Sequence, residues 1–399
     1  MRAVYLDNNA TTRVAPEVVA AMLPCLTEDF GNPSSVHDFG ATSRLALKEA
    51  RERVRALLGA AFREEILFTS GGTEADNTAI LGALEATDER NEIVVSAVEH
   101  PAVLALCSHL ERTRHVKVHR IPVDALGGLD RARYRAALSR RVALASIMWA
   151  NNETGVVFPV EELAEEAKAV GALFHTDAVQ AVGRLPIALR GTAIDMLSLS
   201  AHKLHGPKGV GALYVRRGAP FRSLMLGGNQ ERGRRGGTEN TPGIVGLGKA
   251  AEMATSRLRG DAARMRALRD RLEASLLGQI QGSFVLGDVE RRLPNTSAIV
   301  CEGAEADAIV LLLNRVGVAA SSGAACSAGS PAPSHVVRAM SVLAAVAAGA
   351  TRFSLSRDND DDDIDRVIET LPLIVERLRA RSHAPETAVA SRSAEPAYA

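Results

Sequence analysis

The chain has 399 residues, of which 46% are hydrophobic and 24% are charged, and its formal net charge at pH 7 is zero. This composition is typical of a globular protein with room for more than one domain. The balanced charge excludes a global field that would attract nucleic acid or a membrane surface. The N-terminus MRAVYLDNNATT has no apolar signal core, and no apolar run reaches the roughly 18 residues of a membrane span. We therefore expect a cytoplasmic protein that binds neither nucleic acid nor membrane.

Strands and helices alternate along the first part of the chain. The strand-like runs are EEILFTS, NEIVVSAV, HVKVHRIPV, VALASIMWA, ALFHTDAV and DMLSLSAHK, and the helical ones include TEADNTAILGALEA, HPAVLALCSHLER and PVEELAEEAKAV. This alternation predicts an α/β fold with a mostly parallel sheet that helices cover on both faces.

The pattern changes after about residue 255. An Arg-rich helix, SRLRGDAARMRALRDRLEASLLGQI, precedes the short strands TSAIVCEG, VGVAAS and TRFSLS and the helix EADAIVLLLNRV. We expect a large domain at residues 15–255, a smaller α+β domain made of residues 1–14 and 256–380, and a disordered tail at residues 381–399. Pro372 is expected to kink the last helix or to restart it.

The cysteines are Cys25, Cys107, Cys301 and Cys326, and they form no C-x-x-C pair. A disulfide framework is not expected at this size in a reducing compartment, and a zinc or cluster site built from neighbouring ligands is absent. The first three lie in apolar stretches and are predicted to be buried. Cys326 differs, because the small residues of ASSGAACSAGSP offer nothing to bury it.

The first of four unusual strand ends is FTSGGTEADN. Gly71, Gly72 and Thr73 lie between a predicted strand and a predicted helix. Glycines let backbone N–H groups approach an anion, and the start of a helix favours negative charge. This turn predicts a phosphate site, and an ordinary capped strand–helix turn is the alternative.

Two further strand ends carry polar side chains. His100 precedes Pro101 in AVEHPAV, so it either caps a helix or lies over a flat cofactor ring. Asp177 ends a strand in LFHTDAVQAVG, with Gln180 shortly after it. Its carboxylate either caps a helix or holds a proton on a ring nitrogen. Because ligands bind at the carboxyl ends of parallel strands, these side chains can converge.

The fourth strand end is SLSAHKLHGPKG. Lys203 follows a buried strand beside Ser200 and His202, which makes this lysine a candidate Schiff-base nucleophile rather than a solvated charge. A phosphate site, a strand-end carboxylate and a strand-end lysine together match the needs of pyridoxal phosphate.

These stretches also identify a family. The chain resembles the cysteine desulfurases of the NifS/IscS type, which are class V aminotransferases among the fold-type I pyridoxal-phosphate enzymes. The resemblance runs over roughly residues 4 to 380, and HKLHGPKG and RFSLSR bring it closest to the nitrogen-fixation branch. The resemblance rests on the stretches YLDNNATT, GNPSSVH, FTSGGTEADN, EHPAV, NNETG, HTDAVQAVG, SAHKLHGPKG, QERGRRGGTEN and SSGAACSAGS. It implies a large domain with a mostly parallel seven-stranded sheet and a smaller α+β domain.

The resemblance also implies roles for individual residues. Lys203 would bond to the cofactor, His100 would stack on its ring, and Asp177 would pair with its pyridine nitrogen. Gln180 would meet the ring's phenolic oxygen, and Gly72, Thr73, Ser200 and His202 would hold the phosphate. Asn152 would contact both cofactor and substrate, and Arg352 would grip the substrate carboxylate, unless Arg352 is a plain surface cation. Thr238 would reach the phosphate of a second subunit, which implies a homodimer; a nucleic-acid loop is the alternative for QERGRRGGTEN.

Cys326 is then expected to accept the sulfur of L-cysteine as a persulfide, leaving L-alanine, because a thiolate is the side chain suited to attack sulfur. His100 would relay a proton, and Ser334 would cap the next helix. The sulfur acceptor would be an iron–sulfur cluster scaffold, with nitrogenase maturation as the expected purpose. No resident metal is expected, although Cys326 could transiently ligate a nascent cluster. The alternatives are a selenocysteine lyase or other β-eliminating enzyme of this fold, or a non-catalytic partner in cluster assembly.

Overall fold

The computed structural model describes residues 2–87, 89–322, 334–342 and 348–382. Its helices are α1 (Pro16–Met22), α2 (Pro24–Thr27), α3 (Asp38–Leu58), α4 (Gly72–Ala86), α5 (Pro101–Arg114), α6 (Arg131–Ala137), α7 (Val160–Ala169), α8 (Thr241–Gln279), α9 (Ala306–Arg315), α10 (His335–Ala339) and α11 (Asp361–Ser382). Its strands are β1 (Val4–Tyr5), β2 (Ile66–Thr69), β3 (Glu92–Ser96), β4 (Lys117–Ile121), β5 (Val142–Ser146), β6 (Leu173–Asp177), β7 (Met196–Ser200), β8 (Gly211–Val215), β9 (Ser283–Val285), β10 (Thr296–Cys301), β11 (Val318–Ala319), β12 (Ser321–Ser322) and β13 (Ala350–Ser354).

A seven-stranded sheet forms the centre of the chain, in the order β2-β8-β7-β6-β5-β3-β4. Strands β7, β6, β5, β3 and β4 pair in parallel, whereas β8 is antiparallel to both of its neighbours. The predicted α/β fold with a mostly parallel sheet is therefore confirmed. The six predicted strands are all present, and β8, which comes from GALYV, was not singled out in the sequence.

Helices cover both faces of this sheet. On one face, apolar residues of α4 and α5, such as Ile80 and Leu106, pack against Ile93 and Leu144. On the other face, α3, α7 and α8 pack against strand residues such as Phe174. With both faces covered, β5, β6 and β7 are buried along their whole length. Cys25, Cys107 and Cys301 are buried, as predicted.

A second, antiparallel sheet follows, in the order β12-β13-β10-β9. A separate core packs against it and joins Val4 and Leu6 to Leu272, Phe353 and Leu371. This core supports the grouping of the N-terminus with the smaller domain. The domain boundaries themselves stay a prediction, because α8 begins at Thr241 and runs unbroken past residue 255.

The last helix excludes one of the two outcomes predicted at Pro372. Helix α11 runs from Asp361 to Ser382 with Pro372 inside it, so the helix does not restart at this proline. Buried Val367, Leu371 and Val375 hold successive turns against the second core. The run RDNDDDDIDR contributes three aspartates to the first turn of α11, where negative charge favours the helix dipole. The predicted disordered tail falls mostly on residues 383–399, which lie outside the described residues.

Among the described residues, no helix is both long enough and apolar enough to cross a membrane.

Replacement of Pro372 by alanine is expected to raise the free energy of unfolding by about 2 kcal/mol. A proline inside a helix costs about 3 kcal/mol, and loss of its restriction on the unfolded chain offsets up to about 1 kcal/mol. Denaturant unfolding measures the change. Pro16→Ala is the matched control, since Pro16 lies at the start of α1, where proline is well tolerated. Equal effects of the two substitutions would contradict the prediction.

Candidate active site

A cavity of about 340 Å³ lies at the carboxyl edge of the parallel strands. Strands β6 and β7 end there at Asp177 and Ser200, and α4 begins there at Gly72. The predicted site residues that line it are Gly72, Thr73, His100, Asn152, Asp177, Gln180, Ser200, His202, Lys203 and Arg352. Thr238 does not line it and is exposed, and Cys326 lies outside the described residues.

Lys203 ends a short 3-10 turn that continues directly from β7. Its Nζ lies within the cavity wall and donates hydrogen bonds to the carbonyl oxygens of Asn9 at 2.6 Å and Ala10 at 2.7 Å. These two carbonyls come from the N-terminal segment, which therefore forms one wall of the cavity. Two backbone acceptors therefore hold the amine at the cavity.

Asp177 is buried at the end of β6, and its Oδ1 accepts a hydrogen bond from the Val179 amide at 2.9 Å. Burial raises the pKa of Asp177, and the nearby His100 and Lys203 act in the opposite direction. Gln180 is held by its Nε2, which donates to the Asn9 carbonyl at 3.0 Å, and by its Oε1, which accepts from Arg184. A carboxyl and a carboxamide are thus held rigidly side by side.

The start of α4 has the features of an anion site. A Cβ on Gly72 would lie 2.9 Å from Val179 Cγ2, so a side chain there would require Val179 to move. Helix α4 continues to Ala86, so its N-terminal N–H groups carry the favourable dipole. Thr73, Ser200 and His202 line the same cavity. Burial and the neighbouring lysines lower the pKa of His202 to about 4, so its imidazole is neutral at pH 7.

His100 caps α5, with Pro101 in the first helical turn, as its place in the sequence indicated. Its Nδ1 accepts the Ala102 amide at 3.1 Å, so the proton of the neutral ring lies on Nε2. Burial lowers the pKa of His100, although Asp177 acts in the opposite direction. His100 therefore both caps α5 and lines the cavity.

Arg352 is buried on β13, which excludes the surface-cation alternative. Its Nη2 donates to Asp7 Oδ1 at 2.6 Å and its Nη1 to the carbonyl of Asn152 at 3.1 Å. Its Nε is buried and has no hydrogen-bond acceptor among the described residues. The second sheet thus contributes one cation to a cavity built mainly on the first.

Sequence reasoning missed Asp76, Asn9 and Glu99. Asp76 lines the cavity, and its buried Oδ1 has no hydrogen-bond partner in the described part of the chain. Glu99 is fully buried beside His100, and its Oε1 accepts from Ser96 Oγ at 2.5 Å and from the Met148 amide at 2.9 Å. The available signal was an acidic residue inside an otherwise apolar helix or strand end, in TEADN and AVEHP.

Burial raises the pKa of Asp76 and Asp177, which line the cavity, and of Glu99, which precedes His100 in the chain. The pKa of Glu99 rises to about 8, and that of Asp76 rises well above its usual range, with the Asp177 charge as a further cause. Asp177 has His100 and Lys203 nearby, whereas no cation is among the causes for Asp76. At pH 7, Asp76 and Glu99 therefore retain their protons, whereas His100 and Lys203 favour the ionised form of Asp177.

The cavity fits the predicted cofactor. It offers an amine, a buried carboxyl for a ring nitrogen, and a glycine-lined helix start for a phosphate. Two buried polar atoms have no hydrogen-bond partner among the described residues, Oδ1 of Asp76 and Nε of Arg352, and a bound cofactor or substrate could supply one. In contrast, the described residues contain no group of three or more His, Cys, Asp or Glu side chains arranged to hold a metal ion.

Comparison with known proteins gives one consistent result. The aminotransferase class-V family matches residues 4–367. A cysteine desulfurase of Gluconacetobacter diazotrophicus is 61% identical over 400 residues, covering 100% of both chains. The cysteine desulfurase NifS of Azotobacter vinelandii is 56% identical over 95% of this chain and 94% of its own. The solved structure of a NifS-like protein superposes with a TM-score of 0.88 at 36% identity, covering 94% of this chain and 100% of that one.

Glu99 is expected to make the stability of the protein depend on pH. Its folded pKa of about 8 exceeds the ordinary value of 4.5, so the folded state holds a proton that the unfolded state loses. The free energy of unfolding should fall as pH rises from 5 to 8, and Glu99→Gln should remove on the order of 3 kcal/mol of this fall. Denaturant unfolding at several pH values measures it.

The amide suits this test because a single glutamine oxygen can accept both hydrogen bonds that Glu99 Oε1 accepts. The control is Glu85→Gln, at an exposed carboxylate, which should leave the pH profile unchanged. Parallel profiles of the wild type and Glu99→Gln would show that Glu99 is ionised in the folded protein.

Proposed function

The chain belongs to the aminotransferase class-V family and is a cysteine desulfurase, and we propose that it uses pyridoxal 5′-phosphate to transfer the sulfur of L-cysteine to Cys326. The products are L-alanine and a Cys326 persulfide. One observation carries the proposal: both ends of the segment that contains Cys326 are attached beside the cavity that contains Lys203.

The residues on either side of the Cys326 segment are described, and they contact residues beside the cavity. Before the segment, Ser321 and Ser322 pair with Arg352 and Thr351 of β13, and Arg352 lines the cavity. After it, Ser334 Oγ donates to Glu153 Oε2 at 2.6 Å, and Glu153 follows the cavity residue Asn152. Cys326 is four residues from Ser322, and an extended chain spans about 3.3–3.6 Å per residue, so its tether reaches about 14 Å from that point.

The cofactor, when bound, would draw electrons from the substrate α-carbon and make its proton removable. Lys203 would attach the cofactor covalently and, once released, would take the α-proton on Nζ. Asp177, whose ionised form the nearby His100 and Lys203 favour, would hold a proton at the pyridine nitrogen. Gln180 would meet the phenolic oxygen, while Gly72, Thr73, Ser200 and His202 would hold the phosphate.

Cys326 would accept the sulfur of the substrate. Its thiolate would attack the substrate sulfur, forming the S–S bond while the Cβ–S bond breaks and its electrons remain on carbon. The carbon fragment takes up protons and leaves as L-alanine. His100, neutral and protonated on Nε2, would relay one of them. Asn152 and Arg352 would orient the substrate carboxylate throughout.

The proposal includes a homodimer in the cytoplasm. Thr238 is exposed on this chain and would reach the phosphate of a second subunit. The first helices and the turn after them expose apolar side chains of Val19, Leu23, Leu26, Phe30, Val36 and Phe39, which suits burial against another chain. The sulfur acceptor would be an iron–sulfur cluster scaffold, and the name NifS of the Azotobacter relative supports a link to nitrogenase maturation.

Mass spectrometry after treatment with L-cysteine tests the transfer. We expect one added sulfur on Cys326 of the wild type and none on Lys203→Ala or Cys326→Ala. Cys326→Ala should still bind the cofactor, as its visible absorbance reports. If Cys326→Ala formed alanine from L-cysteine at the wild-type rate, a β-eliminating enzyme such as a selenocysteine lyase would be the better assignment.

Arg352→Lys tests the substrate contact. Lysine lacks the planar fork that matches a carboxylate, so the KM for L-cysteine should rise about tenfold or more. Cofactor absorbance should not change. Cysteamine, which lacks the carboxylate, serves as the comparison: the substitution should narrow the preference for L-cysteine over cysteamine as a ligand. An unchanged preference would remove Arg352 from the substrate site.

A further inference from the structure

Ser334 uses all of its hydrogen-bonding capacity at the start of α10. Its Oγ accepts the amides of Val336 at 3.1 Å and Val337 at 3.3 Å, which confirms the predicted helix cap. The same oxygen donates to Glu153 Oε2 at 2.6 Å. A hydroxyl has two acceptor lone pairs and one proton, so the two amides leave that proton for Glu153 alone.

Glu153 is itself held in place. It is only 6% exposed, and its amide donates to Asn151 Oδ1 at 2.9 Å, as does the amide of Thr154 at 3.0 Å. Either protonation state of its carboxyl offers an acceptor oxygen to Ser334. The bond therefore depends on the oxygen and its position, and not on the charge.

A second bond attaches the same helix. His335 Nε2 lies 2.9 Å from the carbonyl of Glu99, the residue before His100. Glu153 likewise follows Asn152. Helix α10 is thus bound at two points, each one residue from a side chain that lines the cavity.

We propose that Glu153 is a positioning residue for sulfur transfer: through Ser334, it fixes the chain eight residues after Cys326 beside the cavity. The inference rests on the proposed role of Cys326 as sulfur acceptor. Glu153 contacts neither cofactor nor substrate in this role. Its effect should appear only in the step that requires Cys326 to arrive at the substrate.

The test compares Glu153→Ala with Glu153→Gln in the cofactor-loaded enzyme. Glu153→Ala should slow single-turnover formation of the Cys326 persulfide by about tenfold or more, because small misplacements of a reacting group are costly. Exchange of the α-hydrogen of L-alanine for deuterium, which needs Lys203 but no sulfur acceptor, should not change. Glu153→Gln retains an acceptor oxygen and should restore the wild-type rate.

Amide hydrogen exchange gives a readout independent of activity. The Val336 and Val337 amides should exchange faster in Glu153→Ala than in the wild type or Glu153→Gln. Glu92→Ala is the matched control, since Glu92 is a buried carboxylate at the opposite end of β3. It should reduce stability without slowing persulfide formation.

Three outcomes would overturn the positioning role: an unchanged transfer rate in Glu153→Ala, an equal loss of alanine exchange and transfer, or a Glu153→Gln variant as slow as Glu153→Ala. A wild-type enzyme that places no sulfur on Cys326 would instead refute the proposed function, and the positioning role with it.

Discussion

Asn9 is the point on which the cavity depends. Its side chain donates to the Asn152 carbonyl at 3.0 Å and to Thr296 Oγ1 at 2.9 Å, while its own carbonyl accepts from Lys203 and Gln180. Its amide donates to Ser354 Oγ at 2.9 Å. A single buried residue therefore ties the edge of the parallel sheet to the antiparallel one. The lysine amine and the arginine of β13 line one cavity, and Asn9 bonds to both of the sheets that carry them.

The charges of the cavity follow from burial and from the order of the strands. Burial raises the pKa of Asp177, and the two basic groups His100 and Lys203 act in the opposite direction. Asp76 and Glu99 have no such basic neighbour among the causes of their shifts and retain their protons. At the other side, Arg352 is already paired with Asp7. Protonated Asp76, Asp177 and the Arg352–Asp7 ion pair therefore meet at one cavity.

The local sequence predicted the strands of the parallel sheet and the polar residues near their ends. It did not predict the buried carboxyls around them. Apolar runs of strand length predicted β2 to β7, and the residues that follow or end several of them, such as His100, Asp177 and Lys203, converge because parallel strands share a carboxyl edge. Asp76 and Glu99 were missed, since a buried carboxyl is recognisable only when its surroundings are known. Of the two outcomes predicted at Pro372, a kink or a restart, the restart does not occur, because Val367 and Val375 pack against the second core on either side of the proline. The place of Cys326 remains a prediction.

The bond between Asn9 and Ser354 joins residues 345 positions apart. A ribosome adds roughly 5–20 residues per second, so about 17 to 70 seconds pass between the emergence of one partner and that of the other. The parallel sheet, with its lysine, is complete well before the antiparallel sheet that closes the cavity has been synthesised. During translation, the lysine of the parallel sheet is therefore made long before its partner wall, and the bond that joins the two sheets can form only after Ser354 has emerged.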